Sequence, residues 1–143
     1  MDLTKSFPRS PRERLDGIPM LPRTIDKARA YLSGTLGEYK FGDNSGYDRE
    51  LFDTLGIDTE SFLECIRQAP DDESVVRWLH ANARTVDARD TKELIATLDA
   101  MGLETDEDHA ELTAYVAENA PASVRDKIKT WVDWIDFDEG RIK

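Results

Sequence analysis

The chain has 143 residues, 34% of them charged, with a net charge of −11 and a single cysteine, Cys65. That charge argues against bare nucleic acid as a partner, because phosphate neutralisation dominates such binding. One cysteine cannot build an internal disulfide, and no run approaches the ~20 apolar residues that a membrane helix needs.

The length suits one domain, so a single helical domain over residues 1–143 is expected. Three Trp, four Tyr and five Phe supply anchors for its core. Residues 1–10 have no apolar run of the signal-peptide kind. With the lone thiol, this places the expected location in the cytoplasm. The charge is unevenly spread: residues 1–40 hold eight Lys/Arg against five acids, and residues 41–143 hold eleven against twenty-five. Two readings follow: a basic segment packed on an acidic body, or an anion-binding surface on a body that repels anions. The weighting to Asp, with little Lys, also fits a salt-rich cytoplasm.

Residues 1–21 read as an irregular, basic segment, because Pro8, Pro11 and Pro19 each remove a backbone donor. One short helix is expected within it, with Ser10 as N-cap, Pro11 at the first helical position, Glu13 completing a capping box and Gly17 as terminator. From Pro22 to Ser33 the recurrence of Ile25, Ala28 and Leu32 predicts a helix ending at Gly34. Four glycines then punctuate residues 34–46, where residues 35–41 alternate loosely as one extended segment without a partner. A helix is expected over Tyr47–Leu55, stopped by Gly56. Asp58 caps another, carrying Phe62, Leu63 and Ile66 and ending before Pro70. Asp71 or Asp72 caps the next, with Val75, Val76, Leu79 and Ala83 inward. Asp90 and Glu93 have capping-box spacing ahead of Leu94, Leu98 and Met101. Thr105 caps a helix with Leu112, Tyr115 and Val116. A last helix is expected over Ser123–Asp136. The fold class is therefore all-α: a bundle of six or seven short helices with the Pro-rich segment wrapped on it.

The most distinctive stretch is Leu21-Pro22-Arg23-Thr24-Ile25-Asp26-Lys27-Ala28-Arg29-Ala30. Arg23, Asp26 and Lys27 stand at i, i+3 and i+4 and share one helix face. On that spacing Asp26 would hold Arg23, while Arg23 and Lys27 receive an anionic group through a planar fork and a point charge. Arg29 adds a charge, and Tyr39 from the glycine-rich loop adds a hydroxyl. The other reading of these residues is a solvated salt-bridge face or an anchor to the acidic body.

Here the chain resembles a family of short bacterial proteins known only as a domain of unknown function. The likeness rests on the L-P-R-x-x-D-K-A-R-A stretch, on Gly34-Thr35-Leu36-Gly37-Glu38-Tyr39 (the G-x-L-G-E-Y segment) and on Leu55-Gly56-Ile57-Asp58. Asp138-Glu139-Gly140-Arg141 adds a weaker echo. The resemblance implies a shared fold and brings no activity, substrate or cofactor with it.

Other chemistry is thinly signalled. His80 and His109 are the only histidines and lack metal-ligand spacing, so no metal or cofactor is expected. Cys65 lies on an apolar helix and reads as a buried thiol. No nucleophile elbow, P-loop or dinucleotide fingerprint occurs. Trp134 lies off the inward stripe of the last helix and suits either a neighbouring helix or a partner. Two functions stand open: a non-enzymatic protein-interaction domain, or a small anionic-ligand protein or enzyme using Arg23, Asp26, Lys27, Arg29 and Tyr39.

Overall fold

A computed structural model describes all residues 1–143, and it is all-α. Seven α-helices follow one two-stranded hairpin: β1 (Arg14–Leu15), β2 (Ile18–Pro19), α1 (Leu21–Leu32), α2 (Gly46–Leu55), α3 (Thr59–Gln68), α4 (Asp72–Asn82), α5 (Ala88–Ala100), α6 (Asp106–Asn119) and α7 (Trp131–Asp138). Short 3₁₀ turns lie at Gly42–Asn44 and Arg125–Lys127. The chain divides into two compact units, Met1–Leu94 and Ile95–Lys143, with the division inside α5.

The first unit is built around α1. Nine of its twelve residues are buried, including Arg23, Thr24, Asp26 and Lys27 beside Leu21, Ile25 and Ala28. A helix covered on nearly every side is a core helix, although its sequence reads as half polar. Phe41, Leu51, Phe52, Leu55, Phe62, Leu63 and Ile66 are also buried in this unit. The Phe52 and Phe62 rings pack 5.1 Å apart. Cys65 is fully buried on α3, and burial pushes its thiol up to about 11.

The expected short helix after Ser10 is absent. Residues 14–19 form an antiparallel hairpin instead, pairing Arg14 with Pro19 and Leu15 with Ile18. Its two-residue loop is Asp16-Gly17, with φ of 53° and 76°. Two consecutive positive φ values match the twist of paired strands, and Asp-Gly supplies them at low steric cost. The proposed extended segment at residues 35–41 is turn and coil.

The remaining starts follow local chemistry. Ser45, Asp58, Asp71 and Thr105 each accept a backbone N–H from the third residue on, so α2, α3, α4 and α6 begin where a side-chain oxygen caps them. α5 starts one turn earlier than expected. The Asp90 carboxylate takes the Asp87 N–H (3.1 Å) and the Asp87 carboxylate takes the Asp90 N–H (2.8 Å), so the box is Asp87–Asp90.

In the second unit Leu103, Leu112, Val116, Ala120, Val124 and Ile128 form the core, with Trp131, Trp134, Phe137 and Ile142 packed on it. The single helix expected over Ser123–Asp136 is split. Val124 and Ile128 reach the core from the two flanks of the 3₁₀ turn, and α7 begins afresh after its N-cap, Thr130. Thr130 and Asp133 close a reciprocal capping box at 3.0 and 3.1 Å, which commits the chain to a new start there.

Two glycines with similar φ separate backbone strain from crowding. Gly34 has φ +69° and nothing within 4 Å of an added Cβ; at Gly42, φ +73°, that Cβ would lie 2.7 Å from Thr59 Cγ2. Thr59 is held by a 2.7 Å hydrogen bond to Asp43. Gly34→Ala should cost about 1–2 kcal/mol from its left-handed backbone alone. Gly42→Ala should cost clearly more, which urea denaturation of the two variants will read directly.

Candidate functional site

The motif residues sit in a buried ion network rather than on a solvated face. Arg9, in the N-terminal strap (residues 1–13, ahead of β1), is its half-buried hub. Its Nε and Nη2 donate to Asp26 Oδ2 and Oδ1, both at 3.1 Å, and its backbone N–H adds 2.9 Å to Oδ2. Its Nη1 and Nη2 reach Asp72 Oδ2 and Oδ1 at 2.6 and 3.1 Å. One guanidinium thus forks onto two carboxylates, one on α1 and one in the first turn of α4, where the helix dipole also favours an anion. Hydrogen bonding to Asp72 first, and to Asp26 after it, holds the Arg9 guanidinium more firmly protonated than usual. The Asp72 carboxyl lies below its ordinary range, chiefly because Arg9 donates to it.

Lys27 makes the second cluster. Its Nζ lies 3.0 Å from Asp48 Oδ1, with the two side chains 5% and 0% exposed. Asp48 also accepts from the Thr24 hydroxyl at 2.7 Å and the Gly42 N–H at 3.0 Å. Three donors on one buried carboxylate offset the loss of its water. The cluster fastens α1 to the start of α2 and to the 3₁₀ turn between them.

The expected set is therefore partly assembled. Arg23 and Tyr39 meet: the guanidinium lies over the ring at 5.5 Å, and Arg23 Nη1 donates to the Arg9 carbonyl at 3.2 Å. Asp26 and Lys27 instead face Arg9 and Asp48. Arg29 is half-buried; its Nη2 is shut away from solvent without a hydrogen-bond partner, and its charge acts on Asp72, Asp71 and Cys65. Tyr39 also borders a cleft of about 480 Å³ with Leu3, Lys5, Phe7, Gly37 and Glu38.

Sequence reasoning missed Arg9, Asp48 and Asp72 as members of the network. Arg9 and Asp72 are 63 positions apart, and no local spacing marks them. The helix-start position of Asp72 was the one available signal. No group of three or more His, Cys, Asp or Glu side chains is placed to hold a metal ion, and no helix is long and apolar enough to cross a membrane.

These features define an acidic, all-α protein with a buried ion network on its central helix. The chain belongs to the DUF5069 family, a domain of unknown function, which matches residues 5–141. No curated protein matches it.

Two outcomes test the network. Lys27→Met leaves Asp48 buried without its counter-charge and should cost about 3–5 kcal/mol in urea denaturation. A Lys27→Met/Asp48→Asn pair should recover part of that loss. Asp72 has a folded pKa below its unfolded one, so its stabilising contribution is complete above about pH 4 and fades as pH falls through the folded value. Asp72→Asn should accordingly shrink the drop in urea midpoint between pH 6 and pH 3.

Proposed function

We propose that this protein is a non-enzymatic binding domain in which the Arg23–Arg29 segment is framework. The observation that carries this reading is the fate of the candidate acid and base. Asp26 and Lys27 are 5% and 4% exposed, and both are engaged by internal partners. A general base must reach the proton it abstracts, and a buried carboxylate forked onto a half-buried arginine is poorly placed for that.

The surface offered to a protein partner lies in the second unit. Tyr115 is 42% exposed and stacks edge-on to Trp134, with ring centroids 4.9 Å apart. Trp131, Trp134 and Phe137 are only half-buried around it. Aromatic side chains that keep an exposed face are the residues protein interfaces favour.

One observation favours a second reading, in which Arg23, Arg29 and Tyr39 take a small anion with Asp26 and Lys27 supporting them. Arg29 Nη2 is buried and lacks an acceptor, and an anionic oxygen would satisfy it.

Arg23→Gln separates the two. As framework, it should lower stability by about 2 kcal/mol, since a charged hydrogen bond and a stacked cation are lost. That corresponds to a melting temperature several degrees lower. Any response to phosphate, sugar phosphates or carboxylates should then be the same in the variant as in the parent. An anion-induced rise in melting temperature that vanishes in Arg23→Gln would overturn the framework reading and establish the second.

A further inference from the structure

A second cleft in the first unit, of about 260 Å³, carries chemistry of its own. Ile18, Leu55 and Leu79 are buried and form its apolar floor. His80 and Asp16 stand at one side, joined by a 2.6 Å contact between Nε2 and Oδ2. The segment Arg84-Thr85-Val86 also lines it.

That segment is rich in donors. Arg84 Nε donates to the Thr54 carbonyl at 3.1 Å and its Nη2 pairs with Asp90 at 3.3 Å, leaving Nη1 without a protein partner. The Arg84 N–H is tied to the Leu55 carbonyl, whereas the Thr85 and Val86 N–H groups and the Thr85 hydroxyl make no hydrogen bond within the protein. The carboxylates nearby are already engaged, Asp16 by His80 and Asp90 by Arg84 and the Asp87 N–H. Unpaired donors above an apolar floor call for a ligand with acceptors at one end and hydrocarbon at the other.

From this placement we infer that the cleft binds a small monocarboxylic acid, its carboxylate on Arg84–Val86 and its hydrocarbon body on Ile18, Leu55 and Leu79. At ~30 Å³ per water the volume equals about nine waters, which suits an acid of six to eight non-hydrogen atoms. Arg84 brings a guanidinium and Thr85 a hydroxyl to the lining of this cleft, donors that a charged carboxylate can use. None of these residues belongs to the Arg9 and Lys27 networks, so the inference stands apart from the framework reading.

The test is a titration of the isotopically labelled full chain, followed by amide NMR, with acetate, butanoate, hexanoate and hexan-1-ol at fixed pH and ionic strength. Hexanoate should bind at least tenfold more tightly than acetate, and the largest shifts should fall on Leu55, Leu79, Thr85 and Val86. Arg84→Met should weaken hexanoate at least tenfold. Because Arg84 also ties down Thr54 and Asp90, two further variants guard against a folding defect. Thr85→Val, at an exposed position, should weaken hexanoate several-fold, and Ala83→Leu should block the cleft while leaving the donors in place. Hexan-1-ol binding as tightly as hexanoate would overturn the inference by removing any role for the carboxylate. Equal binding of acetate and hexanoate would overturn it by removing the apolar floor, and shifts centred on Lys5 and Tyr39 would overturn it by placing the acid elsewhere.

Discussion

Burying the charged face of α1 is the constraint on which the first unit depends. Arg23, Asp26 and Lys27 stand on a helix that also carries Leu21, Ile25 and Ala28, and all six are removed from water. A buried charge without a partner is far more costly than any local propensity. The strap must therefore bring Arg9 to Asp26, and α2 must bring Asp48 to Lys27. These long-range demands fix where residues 1–20 lie on α1, a task that their prolines and short hairpin cannot perform alone.

The same demand explains local features that look idiosyncratic in isolation. The Gly42 N–H is aimed at Asp48, in a turn that admits no side chain against Thr59. Ser45 caps α2 by accepting from the N–H of Asp48, so the helix start and the buried carboxylate are set by one residue. Met20 holds a left-handed conformation with φ 72°, an unfavourable state for a residue with a Cβ, at the junction of β2 and α1. It is 1% exposed and donates to the Pro11 carbonyl at 3.1 Å, so packing and a strap hydrogen bond offset that strain.

Helices governed by neighbouring residues were legible in the sequence. Apolar spacing and side-chain caps located α2, α3, α4 and α6, with Asp58, Asp71 and Thr105 in their capping roles. Errors arose where two local signals competed. Ser10, Pro11 and Glu13 resemble a helix start, yet Asp16-Gly17 is a hairpin turn, and the turn prevails because Leu15 and Ile18 can pair across it. Thr130 and Asp133 have capping-box spacing, a signal that competes in the sequence with the continuous apolar stripe from Val124 to Ile135 and prevails in the fold. The candidate site was legible in its membership and illegible in its pairing. Helical spacing brings Arg23 near Asp26, but it carries no information about Arg9 or Asp48, which arrive from other elements.

A buried charge network and a binding site make opposite demands on their donors. A network is stable when every N–H and carboxylate is matched internally, as at Asp48, which takes three donors. A site must keep some polar groups unmatched until the ligand arrives, and water can serve them meanwhile only where the surface is open. The Arg9 and Lys27 networks meet the first description; the Arg84–Val86 wall meets the second. Basic residues concentrated before position 40 draw attention to the N-terminal segment, but Arg9, Arg23 and Lys27 there are engaged by Asp26, Asp72, Asp48, Tyr39 and the Arg9 carbonyl. Apart from Arg29 Nη2, the unmatched donors considered in the first unit stand after α4, in the acidic part of the chain, where charge counting alone gives no reason to look.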